Sequence, residues 1–365
     1  MKTKELIIFY PSFANGGITR NLENILKFLS KKKIKIFLFS HNAKKNIKYK
    51  NVKIIDKDHK ILKKNNKFYL IVCSIINLFN FLRSNKNIKI IFSMQNHLPA
   101  ILLAIIFKKK IIIRNSEEIF GATKYADHKV SAYFILLLKL FFYSFSDCII
   151  AISNKSKLSL EQLGLNRTKI KLIYNPFIKK ILKNKNKNYV YGKPFNIISV
   201  GRLTRQKNFS NLIDIIVALQ KIYPFINFKI IGNGPDYKSL KSEIGKCKKI
   251  SIIQWKKNLR KYYDQSHLFV LNSYYEGLPN ILIEAINNNV PCVATDCSGT
   301  QDILMNNKGG FIVPVSDSDA MINKIKFILE NYKNSVHRTK ISKKYIYRFD
   351  QRNCERYYTL IKMYI

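Results

Sequence analysis

Two glutamates with seven residues between them bracket one turn of this chain, in the stretch YYEGLPNILIEA at residues 274–285. Glu276 follows the apolar run at 268–271, which has the length and composition of a buried parallel strand. Glu284 lies one helical turn after Asn280, on the helix that this stretch opens. The pattern therefore predicts a strand, a tight loop and a helix, with a carboxylate on each side of the helix N-terminus.

The turn between the two glutamates is suited to binding an anion through its main chain. Gly277 lets the backbone pass close to a ligand, Pro279 sets φ for a first helical turn, and Asn280 is the predicted N-cap. Unused amides at a helix N-terminus lie where the helix dipole favours a phosphate. The amides predicted to be unused are those of Leu278, Asn280, Ile281 and Leu282.

Phosphates repel carboxylates, so we expect Glu276 and Glu284 to bind the hydroxyl groups of sugars attached to such an anion. Main-chain amides can bind a diphosphate, and carboxylates can bind the hydroxyls of a ribose and of a transferred sugar. The combination favours a nucleotide-sugar as the ligand. The alternative is structural, because any α/β protein has strand-loop-helix turns with a glycine and a proline. Glu284 would then be a solvated acid that the helix dipole favours.

A second loop carries cations. A predicted strand at 195–200 ends at Gly201, and Arg202 and Lys207 follow before a predicted helix at 209–222. Gly201 permits close approach of a ligand, and the two cations are placed to hold a diphosphate from two sides. In so basic a chain, a chance arginine and lysine in a loop is the alternative interpretation.

Glycine-containing turns follow two further predicted strands. Gly232, Asn233 and Gly234 follow a strand at 228–231, and Gly16 and Gly17 lie in the loop at 11–19, between a strand at 6–10 and a helix at 20–29. The carboxyl end of a strand is where an open α/β sheet binds ligands. A plain tight turn is the alternative for the Gly16-Gly17 pair.

His97 is the chemistry-bearing residue of another predicted loop. It follows a strand at 88–92 and precedes Pro99, which places it at the same sheet edge as the Gly16-Gly17 turn. A substrate contact is one interpretation of this histidine, and a surface residue or helix cap is the other.

Strands and helices alternate along the whole chain and restart once, which predicts an α/β protein built from two Rossmann-like, doubly wound domains. The predicted domains are an N-terminal domain at 1–178, a linker at 179–194 and a C-terminal domain at 195–345. The linker contains the charge run KKILKNKNK, which has a solvated composition. A terminal helix at 346–365 is expected to cross back to the first domain.

The formal net charge of +43, from 65 Lys and Arg against 22 Asp and Glu, favours an anionic partner. Most of the cations are lysines, and aromatics are not interleaved with arginine on one face, so we expect membrane headgroups and no nucleic acid. The helix at about 130–145 is apolar around most of its surface, and Lys108, Lys109 and Lys110 are near it in sequence. We therefore expect this helix to dock on a bilayer interface.

Other sequence signals concern location and metals. The amino terminus is too short in apolar residues for a signal peptide, and the stretch at 132–145 is too short to span a bilayer, so a cytoplasmic protein is expected. Six scattered cysteines favour free thiols in a reducing compartment. Asp317 and Asp319 form an Asp-x-Asp pair directly before a predicted helix, where capping explains them, and Asp56 and Asp58 have no better context. No metal site and no cofactor are predicted.

Taken in order, these motifs resemble a family 4 glycosyltransferase of the GT-B fold. The resemblance covers nearly the whole chain and is strongest from 197 to 313, where the two glutamates match the family's signature. It implies two Rossmann-like domains facing a cleft, with the donor bound mainly by the second and the acceptor by the first. It also implies metal-independent transfer with retention at the anomeric carbon.

The resemblance implies a role for individual residues. Arg202 and Lys207 would neutralise the donor diphosphate, Glu276 would hold hydroxyls of the transferred sugar, and Glu284 would hold the ribose. The Gly16-Gly17 turn would let the first domain approach the diphosphate. At the position where the family often carries a first-domain histidine, this chain has Arg114 in IIIRNSEE. Which of Arg114, Asn115 and His97 meets the sugar or acceptor is left open.

The sequence thus predicts a cytoplasmic, membrane-surface glycosyltransferase that moves a sugar from a nucleotide-sugar, specifically a UDP-sugar, to a lipid-linked or surface glycan. Two alternatives belong to other classes. A dinucleotide-dependent oxidoreductase would share the strand and helix pattern, although the first-strand loop lacks G-x-G-x-x-G. A basic nucleic-acid-binding protein would share the charge.

Overall fold

The structure is a computed structural model, and it describes residues 4–13, 16–43, 47–59, 67–185, 187–245 and 247–365. The chain forms two compact units. One contains Met1–Lys179 together with Phe349–Ile365, and the other contains Lys180–Arg348. Each unit is built around its own sheet, with helices before and after the strands.

The first unit contains a seven-stranded sheet in the order β3-β2-β1-β4-β5-β6-β7, and every strand pair in it is parallel. Its strands are β1 Lys4–Ser12, β2 Ile34–His41, β3 Val52–Ile55, β4 Ile90–Ser93, β5 Lys110–Asn115, β6 Cys148–Ala151 and β7 Ile170–Leu172. Its helices before the second unit are α1 Gly17–Leu29, α2 Lys67–Ser84, α3 His97–Ile106, α4 Ile119–Lys124, α5 Lys129–Ser144 and α6 Asn154–Gln162.

The second unit contains a six-stranded parallel sheet in the order β10-β9-β8-β11-β12-β13. Its strands are β8 Phe195–Val200, β9 Ile226–Ile231, β10 Ile250–Ile253, β11 Leu268–Leu271, β12 Cys292–Thr295 and β13 Phe311–Val313. Its helices are α7 Phe209–Ile222, α8 Tyr237–Ile244, α9 Arg260–Asp264, α10 Asn280–Asn287, α11 Thr300–Leu304, α12 Ser318–Glu330 and α13 Tyr332–Lys344.

The last helix, α14 Asn353–Lys362, belongs to the first unit and packs against α1. The rings of Phe28 and Tyr358 lie 6.3 Å apart at this contact. The main chain enters the unit at Phe349, whose carbonyl accepts hydrogen bonds from the amides of Phe177 and Ile178, both at 2.9 Å. The two ends of the first unit's chain are therefore joined by main-chain bonds.

Both faces of the first sheet are covered by helices, as the near-continuous apolar strands require. Along β1, Leu6 and Ile8 are buried in one apolar cluster, and Ile7 and Phe9 are buried in the cluster on the opposite face. Successive side chains of a strand point to opposite faces, so a strand that is apolar at every position must be covered on both sides.

The structure corrects the predicted boundary between the loop at 11–19 and the first helix. Helix α1 begins at Gly17, three residues before the predicted start, because Gly16 is the extended N-cap and Thr19, already helical, bonds its hydroxyl to Tyr10 at 2.7 Å. The predicted loop at 11–19 is therefore shorter than expected, and part of it lies outside the described residues.

The predicted solvated linker packs on the second unit around Lys187. Its ammonium donates to the carbonyls of Tyr263, Asp264 and Ser266, at the carboxyl end of α9, at 2.6, 2.7 and 2.9 Å. The carbonyls at the carboxyl end of a helix and the negative end of the helix dipole attract a cation. Burial nevertheless lowers the pKa of Lys187 to about 8. A charge run in the sequence cannot reveal such a partner, because the carbonyls are more than 70 residues away.

Candidate active site

Three loops meet at one edge of the second unit's sheet. They are the β8 loop (201–208), the β9 loop (232–236) and the β11 loop (272–279), and each follows the carboxyl end of its strand. Strands β9, β8 and β11 are direct neighbours and run parallel, so their carboxyl ends lie side by side. This edge is where an open α/β sheet binds its ligands.

The β8 and β11 loops bring Lys207 and Glu276 into direct contact. The Lys207 ammonium forms an ion pair with Oε1 of Glu276, and the Ser273 hydroxyl donates to the same oxygen at 2.8 Å. The two charged side chains are only 15% and 11% exposed. Among the described residues, Oε2 of Glu276 has no hydrogen-bond partner, so it is available to accept from a ligand hydroxyl.

Gly201 makes room for Lys207. A Cβ at Gly201 would lie 3.3 Å from Cε of Lys207 and 3.4 Å from its Cδ, so the lysine stem crosses directly over this glycine. Lys207 itself ends a short 3-10 turn, Arg205–Lys207, and Asn208 then takes a left-handed conformation with φ of 51° before α7 begins. Gly201 thus accommodates the Lys207 side chain, whereas the sequence predicted close approach of a ligand at this position.

The β11 loop is tied to the β8 loop through its main chain. The amide of Tyr274 donates to the carbonyl of Gln206 at 2.9 Å, and the Gln206 side-chain amide donates to the carbonyl of Tyr275 at 2.8 Å. These bonds flank the Lys207 and Glu276 contact on the adjacent residues. They fix the relative position of the two loops, so the ion pair does not depend on two flexible side chains alone.

The glycines of the β9 loop allow two stretches of backbone to touch. A Cβ at Gly232 would lie 1.9 Å from the carbonyl oxygen of Gly201, and one at Gly234 would lie 2.0 Å from that of Leu203. Asn233 uses its own carbonyl to accept from the Leu203 amide at 2.9 Å, and its side chain accepts from the Trp255 amide at 3.1 Å. In this structure these residues support the β8 loop.

Helix α10 starts differently from the prediction. Pro279 is the N-cap and Asn280 is the first helical residue, because the Pro279 carbonyl accepts from the amides of Leu282 and Ile283 at 3.0 and 3.4 Å. The prediction of an unused amide at Leu282 is therefore wrong. The amides of Leu278 and Ile281 have no acceptor within the described part of the chain, which leaves main-chain donors at this helix N-terminus.

Arg202 and Glu284 lie on the same two loop-helix segments as the ion pair. Arg202 is exposed in the β8 loop, and within the described ranges its side chain makes no hydrogen bond or ion pair. Glu284 is half-buried, four residues after Asn280 on α10. The structure thus places both residues near the edge that carries the loops, without joining them to Lys207 or Glu276.

Ser273 and Asn272 are the site residues that sequence reasoning missed. Ser273 stands three residues before Glu276 and orients its carboxylate, and its own carbonyl accepts from the Thr295 hydroxyl at 2.6 Å. Asn272 donates to the Asn208 carbonyl at 3.2 Å. A serine three residues before a functional acid, in a loop, is the signal that was available in the sequence.

His97 of the first unit is the buried first residue of α3, not a loop residue as predicted. Its Nδ1 lies 2.8 Å from the Ser93 hydroxyl, and its ring packs edge-on against Tyr143 at 5.9 Å. Burial, with the nearby charges of Lys139 and Arg114, lowers the pKa of His97 to about 3. The imidazole is therefore neutral at any physiological pH.

Arg114 is fully buried, and its guanidinium is shared among three neutral acceptors of the first unit. It donates to the Tyr357 hydroxyl of α14 at 3.1 Å, to the Ser116 hydroxyl and to the side-chain carbonyl of Asn175. Asn115 donates to the Glu117 carbonyl at 2.8 Å and to the Ser156 hydroxyl at 3.2 Å. Arg114 thus links β5 to α14, and each side-chain nitrogen of the two residues donates to a group within the first unit.

We expect Arg114→Lys to lower the free energy of unfolding by about 2 kcal/mol, because one ammonium cannot reach three acceptors that a planar fork satisfies. Denaturant unfolding measures the change, and hydrogen exchange should show faster exchange in α14. Arg356→Lys is the matched control, since Arg356 is an exposed arginine of α14 that donates to the Leu172 carbonyl. Equal midpoints for the two variants would refute the role given to Arg114.

The described residues contain no cluster of three or more His, Cys, Asp or Glu side chains suited to a metal ion. Asp317, one member of the Asp-x-Asp pair, is the N-cap of α12 and accepts from the Ala320 amide at 2.8 Å. The interpretation of this acid as a helix cap is confirmed.

Two family models divide the chain between them. Residues 15–177 match the model described as Glycosyltransferase Family 4, and residues 180–345 match the model described as Glycosyl transferases group 1. An uncharacterized glycosyltransferase of Methanocaldococcus jannaschii is 30% identical over 317 residues, which cover 82% of this chain and 70% of that protein. The chain belongs to the glycosyltransferases, and the predicted resemblance is confirmed.

One enzyme of named activity and one solved structure are also similar to this chain. The UDP-Gal:α-D-GlcNAc-diphosphoundecaprenol α-1,3-galactosyltransferase of Escherichia coli is 27% identical over 191 residues, covering 48% of this chain and 49% of that one. The crystal structure of Anabaena HepE in complex with UDP has a TM-score of 0.77 at 16% identity, covering 99% of this chain and 100% of that one. The predicted α/β fold of GT-B type, with two Rossmann-like doubly wound domains, is likewise confirmed.

Proposed function

We propose that this glycosyltransferase moves a sugar from a UDP-sugar to a lipid-linked or surface-polysaccharide acceptor, such as a capsule, O-antigen or lipopolysaccharide precursor. The observation that carries the proposal is the contact of Lys207 and Glu276 beside the donor-rich N-terminus of α10. A cation, a carboxylate and free main-chain amides at one sheet edge match the parts of a nucleotide-sugar.

When the donor binds, Lys207 and Glu276 exchange their contact with each other for contacts with the donor. Lys207 and Glu276 neutralise each other in the structure, and both side chains are largely buried. A diphosphate attracts Lys207 and the exposed Arg202, while hydroxyls of the transferred sugar occupy the Glu276 carboxylate. Glu284 then holds the ribose. The UDP named in the Anabaena structure and the UDP-galactose named for the E. coli enzyme support UDP as the leaving group.

The chemistry we propose is transfer with retention at the anomeric carbon. As the acceptor hydroxyl oxygen bonds to the anomeric carbon, the bond between that carbon and the β-phosphate oxygen breaks and leaves an additional negative charge on the diphosphate. The main electrostatic task is therefore to disperse that charge. The groups that stabilise this charge are the side chains of Lys207 and Arg202 and the amides of Leu278 and Ile281. Because they are in position before the reaction, no energy is needed to reorganise them as the charge develops. We propose that this arrangement works without a metal ion and without a bound cofactor.

We propose a lipid-linked acceptor and a peripheral position on the cytoplasmic face of a membrane. The E. coli relative supports the acceptor class, because its name gives a diphosphoundecaprenol-linked sugar. No described helix of this chain combines the length and the apolar content needed to cross a bilayer. The chain's charge of +43 favours an anionic surface.

Calorimetry with UDP should give a dissociation constant between about 1 µM and 1 mM, whereas NAD and single-stranded RNA should bind far more weakly at physiological salt. A panel of nucleotide-sugars should then show slow hydrolysis of one UDP-sugar, unchanged by EDTA, with the α-anomer as the first product by NMR. Binding of NAD or RNA in preference to UDP would refute the proposed donor. Loss of hydrolysis in EDTA would refute metal independence alone.

A further inference from the structure

Helix α5 carries an apolar stripe that faces away from the protein. Its members recur at spacings of three and four residues and are between 58% and 86% exposed: Val130, Tyr133, Phe134, Leu137 and Phe141. Of the whole helix only Tyr143 is buried. A surface helix ordinarily buries its apolar stripe against the core. Helix α5 instead exposes its apolar stripe.

Helix α5 is nevertheless held firmly in this orientation. Tyr143 packs against His97, Lys139 is paired with Glu117, and the carbonyl of Ser144 accepts from the Lys169 ammonium at 3.2 Å. Three contacts on separate elements fix both the middle and the carboxyl end of the helix. Exposure of the stripe is thus a consequence of packing and not of a loosely attached helix.

Helix α3 packs against α5 and extends the apolar surface. Its contribution is Leu102, Ile105 and Ile106, each between 43% and 56% exposed. Together with the α5 stripe these eight side chains form what we call the α3/α5 surface. Large exposed apolar surfaces are rare on monomeric proteins and mark interaction sites.

Lysines flank the α3/α5 surface at both ends. Lys124 and Lys129 are exposed at the amino end of α5, and Lys108 is exposed just after α3. Two acids of the same region are engaged by other groups, and a third, Asp127, is exposed between Lys124 and Lys129. Glu118 caps α4, and Asp147 is paired with Lys110 at 2.9 Å. An apolar strip bounded by cations is complementary to lipid acyl chains bounded by anionic headgroups.

The overall charge decides between a bilayer and a second copy of the chain. At +43 two copies repel each other, whereas an anionic bilayer attracts each copy. We propose that the α3/α5 surface docks the protein onto an anionic lipid bilayer, with α5 lying in the plane of the interface. This proposal identifies the docking residues and does not depend on the proposed sugar transfer.

Co-sedimentation of the full chain with vesicles tests the surface. Vesicles of phosphatidylcholine with about one-third phosphatidylglycerol should bind the protein at low salt, and pure phosphatidylcholine should bind it much less. The triple variant Phe134→Ser, Leu137→Ser, Phe141→Ser should lose about 100-fold or more in partitioning, because three large apolar side chains no longer enter the interface. The pair Lys124→Gln, Lys129→Gln should lose about twentyfold at low salt and little at high salt.

A matched control replaces three exposed apolar residues that lie elsewhere, namely Val190, Ile222 and Met363, by serine. It should bind vesicles as the wild type does, and all variants should melt at similar temperatures because every replaced side chain is exposed. Equal vesicle binding by the two triple variants would overturn the proposal. The proposal would also be overturned if the wild type did not bind vesicles but formed a dimer, detected by sedimentation, that the α5 triple variant did not form.

Discussion

Sugar transfer should fall by about a thousandfold in the Glu276→Ala variant, with the protein still folded. The carboxylate is held by Ser273 and Lys207 at one oxygen, so its other oxygen is fixed in direction for a sugar hydroxyl. A hydrogen bond from Glu276 to the sugar, present while the glycosidic bond breaks, stabilises the transition state more than it strengthens substrate binding. We therefore expect kcat to fall while the dissociation constant of UDP, which lacks the sugar, changes little.

The measurement is the rate of UDP release from the UDP-sugar that the wild type hydrolyses. Removing the carboxylate leaves Lys207 largely buried without its partner, which we expect to cost about 3 kcal/mol of stability, within the roughly 5–15 kcal/mol that holds a domain folded. Glu276→Gln is the complementary variant, since its amide oxygen still accepts from Ser273 while the charge is gone. Glu243→Gln, at an exposed acid of α8, is the control. Turnover near the wild-type rate in both Glu276 variants would show that Glu276 does not take part in sugar transfer.

The sequence predicts that Lys207 and Glu276 belong to one edge, but it does not predict that they touch. Each residue follows an apolar run that reads as a buried strand, and carboxyl ends of parallel strands share an edge. Contact between residues 69 positions apart requires that β8 and β11 be direct neighbours in the sheet. Strand order follows from tertiary packing and not from local pattern, so Ser273 and the shared oxygen were not foreseen.

Arg114 and His97 show where local patterns mislead. Both stand at or near strand ends, where sequence reasoning looks for ligand contacts. Their environment is set by partners far along the chain, since Arg114 donates to Tyr357 243 residues away and His97 packs on Tyr143. A buried guanidinium with three neutral acceptors has no signature in a single sequence. The same holds for the start of α10, where the carbonyl of Pro279 receives the first helical amides and Asn280 does not cap.

Lys207→Ala should reduce kcat/KM by between about 100-fold and 1,000-fold, and it should also weaken UDP binding. The lysine serves two partners in turn: it orients Glu276 before the donor binds, and it neutralises the diphosphate afterwards. Glu276 variants change only the first of these, because UDP has no transferred sugar. A selective loss of UDP affinity in Lys207→Ala, measured by calorimetry, therefore reports contact with the phosphates. Lys241→Ala, at an exposed lysine of α8, is the control for a change in overall charge.

The double variant Lys207→Ala, Glu276→Gln separates the two roles of the lysine. If Lys207 acts only by orienting Glu276, adding Lys207→Ala to Glu276→Gln should change neither turnover nor UDP affinity, since the group it orients is already inactive. If it also holds the diphosphate, UDP should bind more weakly in the double variant than in Glu276→Gln, by a factor similar to that seen in the wild-type background. We expect the second result, because the Lys207 ammonium lies in a loop that ends at a sheet edge next to the free amides of α10. Identical UDP affinities in the two Glu276→Gln proteins would limit Lys207 to a positioning role.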